Sequence, residues 1–293
     1  MQAAWIGLGN MGSRMAKNVA EKGPQSCLVV YNRNKARAAS LMGSVRQSCT
    51  IIFICVADDQ SFMQVIAAAR SSKGGMTGKI IVNMATVHPD TSRLAQILLE
   101  KDHAFYVECP VCGPPSLADT GDLVAVPVGP VQAVQCIRPF LQGVIARSVI
   151  DMGGREVGTG SLMKIIGNAF VLTSLETVSE CLVLAEKSGL GACELQRWMD
   201  VMFPGSLAHY TRRMTSGDYW ALGEPLFDLR LAEKDVGHAL TMARGLKVDA
   251  QFLAIIKEQF EETRLRRGDL DAAAVYGTVR EDSGLSFGAD FGS

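Results

Sequence analysis

The chain has 293 residues, of which 48% are hydrophobic and 20% are charged, and its formal net charge is −1. This length exceeds what one hydrophobic core usually supports, so we expect two domains. A near-neutral chain without a basic run lacks the electrostatic footprint of a protein that binds nucleic acid or an anionic membrane. We therefore expect a small-molecule partner, with no nucleic acid and no membrane.

The first predicted element is a short apolar strand, Ala3–Ile6. It is followed at once by Gly7-Leu8-Gly9-Asn10-Met11-Gly12 and then by a helix pattern that stops at Gly23-Pro24. A strand, G-x-G-x-x-G and a helix in this order predict a dinucleotide-binding turn, in which the helix N-terminus faces the pyrophosphate. We expect the residues from Gly7 to Gly12 to contact the cofactor.

The second predicted strand, Cys27–Tyr31, is followed by Asn32 and Arg33. An enzyme selective for NAD usually carries an acidic residue here, whereas an arginine suits the 2′-phosphate of NADP. We expect both residues at the cofactor and a preference for NADP(H) over NAD(H). The alternative for Arg33 is an exposed arginine in a turn.

The segment from Asn34 to Thr50 is short for its place in the chain. A doubly wound sheet needs a helix, a third strand and a crossover here, and 17 residues hardly hold all three. We expect the third strand to be missing or vestigial, so that the second strand forms an edge.

Buried strands are predicted at Ile51–Val56, Lys79–Met84 and Phe105–Glu108. Val56 and the following Ala57 lie at a carboxyl strand end, which is the cofactor side of such a sheet. His88, after the second of these strands, is either a general base or a surface loop histidine. Further strands at Val124–Val128 and Ser148–Asp151, with a helix at Val131–Leu141 between them, complete a Rossmann domain of residues 1–157.

Cys109 and Cys112 form a C-x-x-C sequence, which occurs in redox pairs and zinc sites. No second Cys/His pair lies at finger-like spacing, so we predict no metal. The eight cysteines are scattered, several of them in apolar runs, as expected of thiols in a reducing compartment. The N-terminal residues lead directly into a strand, so we expect no targeting peptide and a cytoplasmic location.

A long helix is predicted between Gly158 and Gly189. Thr159 and Ser161 are candidate caps, and apolar side chains surround the axis, which indicates a buried helix. These side chains belong to Ile165, Ile166, Ala169, Phe170, Leu172, Leu175, Val178, Leu182 and Leu184. Polar residues from Lys164 to Glu186 interrupt the run, which argues against a membrane span. Lys164 and Asn168 are four residues apart and share one helix face, which makes them candidates for the chemistry.

Beyond this helix the pattern is helical only, at Glu194–Met202, Phe227–Ala243, Phe252–Arg266 and Ala272–Arg280. We therefore predict an α/β fold: an N-terminal Rossmann doubly wound sheet and a C-terminal all-α domain, residues 158–293, joined by the long interdomain helix. Lys234-Asp235 falls in the second of these helices, where the two residues could form a simple exposed ion pair.

The glycine turn at Gly7–Gly12, Thr86, the Pro110–Gly113 turn, the run Gly158–Asn168 and Lys234-Asp235 occur in this order. In this arrangement the chain resembles the β-hydroxyacid dehydrogenases, which include 3-hydroxyisobutyrate dehydrogenase and the glyoxylate and succinic semialdehyde reductases. The family also shares its nucleotide domain with 6-phosphogluconate dehydrogenase. The resemblance covers nearly the whole chain.

The resemblance implies that Lys164 is the catalytic acid and base, with Asn168 beside it in the substrate pocket. It assigns Cys112 and Gly113 to the turn that binds the substrate carboxylate, with cysteine where the family has serine, and it assigns Thr86 and Lys234 to the cofactor. The expected reaction is hydride transfer between NADP(H) and a small β-hydroxyacid or its semialdehyde or ketoacid, in a homodimer or homotetramer.

Two other functions remain open at this point. One is a catalytically inactive dehydrogenase-like domain that serves as an oligomeric scaffold, and the other is an imine reductase or reductive aminase. In both groups the catalytic lysine is usually replaced, so that Lys164 favours the dehydrogenase. The shortened segment before Ile51 favours the scaffold or a damaged product.

Overall fold

The computed structural model describes residues 2–25, 27–34, 50–72, 74–221 and 225–288. The chain forms two compact units, Met1–Lys164 and Ile165–Ser293, with separate hydrophobic cores. The division falls inside the long helix, whereas the sequence pattern placed the boundary before it, between residues 157 and 158.

The first unit is built on a parallel sheet whose strands follow the order β2-β1-β3-β4-β5. The strands are β1 (Gln2–Ile6), β2 (Cys27–Tyr31), β3 (Ile51–Ile54), β4 (Ile80–Asn83) and β5 (Phe105–Glu108). Helices α1 (Asn10–Lys22), α2 (Asp59–Arg70) and α3 (Pro89–Glu100) lie between them in the chain. The chain adds β2 on one side of β1 and then β3, β4 and β5 on the other side. The direction of the winding therefore changes between β1 and β3, and doubly wound sheets bind ligands at the carboxyl ends of the strands at such a switch point.

The prediction for the third strand concerns residues 35–49, which lie outside the described residues. In the part of the sheet that is described, β2 is the last strand and pairs with β1.

The strand predicted at Val124–Val128 is divided between two sheets, and the strand predicted at Ser148–Asp151 is followed by a further strand in the other sheet. Residues Leu123–Ala125 (β7) and Ala146–Val149 (β9) join Val111–Cys112 (β6) in a small second sheet. The continuations, Val128–Gly129 (β8) and Met152–Gly153 (β10), extend the large sheet beyond β5. In the first case Pro127 separates the two halves, and since proline has no N–H to donate, a continuous ladder is interrupted there. Helices α4 (Pro115–Thr120) and α5 (Val131–Leu141) complete this unit.

The long helix α6 covers Thr159–Lys187 without a break. The prediction that it is buried on most sides is wrong: Ile165, Leu172 and Leu182 are buried, but Ile166, Phe170 and Leu184 are 62%, 66% and 69% exposed. Within the described residues, α6 is the one helix whose length and composition would allow a membrane span, and 39% of its most apolar stretch is buried.

The second unit consists of helices packed around the buried face of α6. They are α7 (Ala192–Met202), α8 (Ser206–Thr215), α9 (Asp218–Ala221), α10 (Leu229–Leu246), α11 (Gln251–Arg267) and α12 (Val275–Asp282), with a 3-10 turn at Ala272–Ala274. The core includes Leu175, Met214, Val236, Phe260 and Tyr276. The sequence pattern missed α8 and α9, because the surrounding glycines indicate turns and the two helices are short.

Candidate functional site

The turn between β1 and α1 requires glycine at two positions for reasons that lie in the fold. A Cβ on Gly7, whose φ is +98°, would lie 2.1 Å from the carbonyl oxygen of Cys55, and a Cβ on Gly12 would lie 2.2 Å from that of Gly7. Both contacts are too close for any side chain. These two glycines therefore let the turn, the start of α1 and the end of β3 pack together.

Gly9 has a different environment. Nothing lies within 4 Å of the position that its Cβ would occupy, and no side chain caps α1 at this residue. The space above Gly9 and the start of α1 is therefore open, which suits the close approach of a phosphate to a helix N-terminus. This open cradle fits a dinucleotide, and the prediction for Gly7 to Gly12 is consistent with it.

The two residues after β2 have separate roles. Asn32 accepts a hydrogen bond from the Leu8 N–H through Oδ1, at 3.0 Å, and donates from Nδ2 to the Asn34 carbonyl oxygen at 2.9 Å. The Asn32 side chain therefore holds the backbone of the glycine turn at Leu8. Arg33 is exposed, so its guanidinium is available to a ligand at the edge of the turn.

The loops after β3 and β4 meet near the same end of the sheet. Asp58 caps α2 by accepting from the Ser61 N–H at 2.7 Å, and Asp59 accepts from the His88 N–H at 2.8 Å, which ties the two loops together. Val56, Ala57 and Thr86 lie in these loops and are all at least partly exposed. His88 caps α3, because its Nδ1 accepts from the Asp90 N–H at 3.3 Å.

The two cysteines of the C-x-x-C sequence occupy different environments. Cys109 is buried, and burial together with the nearby Glu108 carboxylate raises the pKa of its thiol. Cys112 is half-buried in β6 and leads into Gly113, whose φ is +135°. Both are free thiols, and the described residues contain no cluster of three or more His, Cys, Asp or Glu residues suited to a metal.

Lys164 is half-buried on α6, and Cys55 is the residue that follows β3. Burial raises the pKa of the Cys55 thiol to about 12, and the positive charge of Lys164 opposes this rise. The Cys55 backbone also donates to the carbonyl oxygen of Ile6 at the end of β1. The fold therefore places Lys164 within electrostatic reach of Cys55, which follows β3 and packs against Gly7 and Gly12 of the glycine turn.

The start of α6 is held by a residue that the sequence pattern did not identify. Glu108, at the end of β5, is 1% exposed and accepts hydrogen bonds from the Gly158 N–H at 2.7 Å and the Ser161 N–H at 2.5 Å. The predicted caps behave otherwise, since Thr159 donates to the Glu156 carbonyl oxygen and the Ser161 hydroxyl contacts that of Ser92. The sequence offered one signal for this contact, a charged residue at the end of a predicted strand. Its backbone partners lie 50 and 53 residues further along the chain, so no local pattern could identify them.

In the second unit, Asn168 and Lys234 meet at one buried carboxylate. Asn168 donates to Asp235 Oδ2 at 2.6 Å, and Lys234 Nζ lies 3.0 Å from Asp235 Oδ1. Asp235 is 2% exposed, so the simple exposed ion pair considered from the sequence is wrong. The sequence analysis did not predict Asp235 at the site, although Asp235 follows Lys234 directly in the chain. Lys164 and Asn168 are four residues apart in the unbroken helix α6 and so point to the same side of it.

Two family models match the chain. A family model described as the NAD binding domain of 6-phosphogluconate dehydrogenase matches residues 2–154. A second, described as the NAD-binding domain of NADP-dependent 3-hydroxyisobutyrate dehydrogenase, matches residues 158–279. Together the two matches account for most of both units.

Individual proteins match over nearly their whole length. The chain is 30% identical to the NADH-dependent oxidoreductase ucdB of Aspergillus ustus over 297 residues, covering 94% of this chain and 98% of that protein. It is 27% identical to glyoxylate/succinic semialdehyde reductase 1 of Arabidopsis thaliana over 300 residues, covering 96% and 99%.

Among solved structures, 3-hydroxyisobutyrate dehydrogenase of Mycobacterium tuberculosis with L-serine has the same fold. The TM-score is 0.80 at 20% identity, over 95% of this chain and 99% of that one. The expected fold class, a Rossmann sheet followed by a helical domain, is thereby confirmed. The chain belongs to the β-hydroxyacid dehydrogenase family of NAD(P)-dependent oxidoreductases.

Proposed function

We propose that the protein is an NADP-dependent dehydrogenase of a small β-hydroxyacid or its semialdehyde, with Lys164 as the general acid and base. The observation that carries this proposal is that the charge of Lys164 acts on Cys55, the residue after β3 that also packs against the glycine turn. Hydride transfer to or from a carbonyl carbon requires a group that can give or take a proton near the cofactor, and Lys164 would be such a group.

The glycine turn from Gly7 to Gly12 would hold the pyrophosphate, and Val56, Ala57, Thr86 and Lys234 are the other residues proposed at the cofactor. A bound nicotinamide nucleotide supplies hydride donation and acceptance. In the reducing direction Lys164 carries the proton on Nζ and donates it to the oxygen of the carbonyl group. In the oxidising direction neutral Lys164 removes the proton from the hydroxyl group. Asn168, whose amide is fixed by Asp235, orients the same oxygen from one turn further along α6.

The substrate is proposed to be a carboxylate. The backbone N–H groups at Cys112 and Gly113 would bind its carboxylate group, with the Cys112 thiol as a weaker donor than the serine hydroxyl of the family. Glyoxylate and succinic semialdehyde, which appear in the name of the Arabidopsis relative, are therefore the first substrates to test.

The proposed preference for NADP(H) rests on Arg33. Arg33 is exposed two residues after the end of β2, and neither position 32 nor position 33 carries an acidic residue to select the ribose hydroxyls of NAD. The relative from Aspergillus ustus is described as NADH-dependent, so both nucleotides belong in the assay.

A second copy of the chain is proposed as the macromolecular partner. The second unit exposes large apolar side chains that a monomer rarely leaves in water, including Ile166, Phe170 and Leu184 on α6 and Trp198 and Val201 on α7. We expect a homodimer or homotetramer by light scattering at micromolar concentration, and a monomer would contradict this proposal.

The test of the function is the oxidation of NADPH and of NADH with glyoxylate, succinic semialdehyde and methylmalonate semialdehyde. Lys164→Ala should lower kcat by about 10²–10⁴-fold, the contribution of a general acid. Lys187→Ala is the matched control, because it removes an exposed lysine at the other end of the same helix and should leave kcat within twofold.

Two outcomes would contradict the proposal. An oligomer that binds neither nucleotide would favour the inactive scaffold, since that function needs the apolar surface and not the turn. Turnover of an imine or of a ketone with an amine, but of no carboxylate on the panel, would favour an imine reductase or reductive aminase.

A further inference from the structure

Glu108 is a buried carboxylate for which the proposed reaction gives no role. It is 1% exposed at the end of β5, and it accepts hydrogen bonds from the backbone N–H groups of Gly158 and Ser161 and, at 3.4 Å, from the Ser92 hydroxyl. Burying a charge is unfavourable unless it is hydrogen-bonded on several sides. The N-terminus of a helix offers both N–H donors and a favourable dipole, so α6 is a suitable partner for this charge.

The local geometry is adapted to this contact. A Cβ on Gly160 would lie 3.1 Å from Cγ and Cδ of Glu108, and Gly158 has a φ of +101°. Ser161 is held twice, because its N–H is bound by Glu108 while its hydroxyl lies 3.2 Å from that of Ser92. The two glycines thus let the first turn of α6 pack closely against the Glu108 carboxylate. The Ser92 hydroxyl contacts both Glu108 and Ser161 and so connects them.

Lys164 comes three residues after Ser161, on the following turn of the same helix. The contacts of Glu108 determine how far the first turn of α6 lies from β5 and how it is rotated about its axis. Both quantities determine where the Lys164 ammonium lies relative to Cys55 and the strand ends. Glu108, Ser161 and Lys164 all belong to the first unit.

We propose that Glu108 is a positioning residue for Lys164, which fixes the first turn of α6 through the N–H groups of Gly158 and Ser161. This inference rests on the proposed function, because it concerns where the acid and base of that reaction is held. Glu108 itself is 1% exposed, so it offers almost no surface to a substrate or cofactor. A displacement of about 1 Å of a catalytic group is enough to lower turnover by up to 10²-fold.

The decisive variant is Glu108→Gln, which keeps the shape of the side chain but replaces one acceptor oxygen by an N–H₂ group facing a backbone donor. We expect kcat to fall by about 10–100-fold, with the Kd for NADPH within threefold of the wild type. Glu156→Gln is the matched control, because Glu156 also lies next to the start of α6 but is 82% exposed. A residue needed only for stability would lower the melting temperature and leave kcat per folded molecule unchanged.

A second measurement does not depend on turnover. Hydrogen exchange at the amides of residues 158–164 should be at least tenfold faster in Glu108→Gln than in the wild type, and unchanged in Glu156→Gln. If Glu108→Gln does not fold, Ser92→Ala replaces it, since this variant removes one weaker contact. It should lower kcat by about twofold to fivefold and raise exchange in the same segment.

The outcomes separate this inference from the function on which it rests. Normal kcat in Glu108→Gln, or in Ser92→Ala where that variant is used, together with an inactive Lys164→Ala would leave the function intact and overturn the positioning role. If the wild type had no turnover on the panel, the function would fail, and the exchange rates would still decide whether Glu108 holds the first turn. Equal rates in wild type and variant would overturn the inference.

Discussion

The side-chain amide of Asn168 donates a hydrogen bond to the carboxylate of Asp235, with Nδ2 and Oδ2 2.6 Å apart. The other oxygen of Asp235 lies 3.0 Å from Lys234 Nζ. Because this carboxylate is almost fully buried, it orients Asn168 from α6 and Lys234 from α10 together. One residue therefore links a proposed substrate contact with a proposed cofactor contact.

We predict that Asp235→Asn lowers kcat/KM by about 10–100-fold, because an uncharged amide loses the ion pair with Lys234 and has only one oxygen to accept from Asn168. Steady-state kinetics with the best substrate of the panel would measure this. Asp269→Asn is the control, since Asp269 is half-exposed and pairs with Arg230 on the surface. Unchanged kinetics in Asp235→Asn would show that the orientation of Asn168 is not limiting.

Substitutions at two glycines of the turn after β1 should have different effects, one on folding stability and the other on cofactor binding. Gly12→Ala places a methyl group 2.2 Å from a backbone oxygen, so we predict a loss of about 1–3 kcal/mol in the free energy of unfolding. Gly9→Ala meets open space and should fold normally but raise the Kd for NADPH at least tenfold, which is about 1.4 kcal/mol. Chemical denaturation and nucleotide fluorescence would measure the two effects, and tight NADPH binding by Gly9→Ala would contradict the proposed cradle.

Arg33→Ala should reduce the preference for NADPH over NADH. A charge-assisted hydrogen bond to a phosphate contributes about 1.5–3 kcal/mol, so we predict a 10–100-fold rise in the KM for NADPH with little change for NADH. Arg147→Ala, which removes another exposed arginine of the same unit, should change neither value. A parallel loss with both nucleotides would place Arg33 away from the 2′-phosphate.

Cys112 and Cys109 should respond differently to replacement by serine. Cys112→Ser introduces a stronger hydrogen-bond donor at the proposed carboxylate turn, so we predict a KM for the acid that is lower by about twofold to tenfold. Cys109→Ser buries a hydroxyl group in an apolar core and should instead reduce stability by about 1–3 kcal/mol with the KM unchanged. An identical KM in Cys112→Ser and the wild type would argue against a carboxylate at this turn.

Glu176 should make stability depend on pH. It lies on α6 at a surface groove of about 500 Å³, and its Oε2 has no hydrogen-bond partner in the described part of the chain. Burial, reinforced by the carboxylates of Glu180 and Asp282, raises its pKa to about 7 from 4.5. The folded protein therefore holds this proton more tightly than the unfolded chain, and stability is lost as the pH rises from about 4.5 to 7.

Glu176→Gln should consequently be more stable than the wild type above pH 7, by an amount of order 3 kcal/mol, and equally stable below about pH 4.5. Urea denaturation at several pH values would measure this difference, with the exposed Glu258→Gln as the control. A difference between Glu176→Gln and the wild type that did not vary with pH would show that burial of the charge is not its cause.

Local features of the sequence were sufficient to predict the first strand, the glycine turn and the helix that follows it. A tight turn after a strand requires glycine where φ is positive, as at Gly7, and this requirement can be seen in neighbouring residues. The helical pattern from Thr159 to Lys187 was likewise predicted within a few residues, because capping residues and apolar spacing are local signals. Lys164 and Asn168 could be singled out for the same reason.

Contacts between distant residues could be found only in the tertiary structure. Glu108 and Ser161 are 53 residues apart, and Asn168 and Asp235 are 67 apart, so no local pattern pairs them. The division of the strand predicted at Val124–Val128 between two sheets, and the exposure of Phe170 on a helix that looked buried, also depend on which surfaces the fold brings together. The sequence determined most of the helices and strands and the polar side chains that they carry, whereas packing decided which polar group each buried charge would meet.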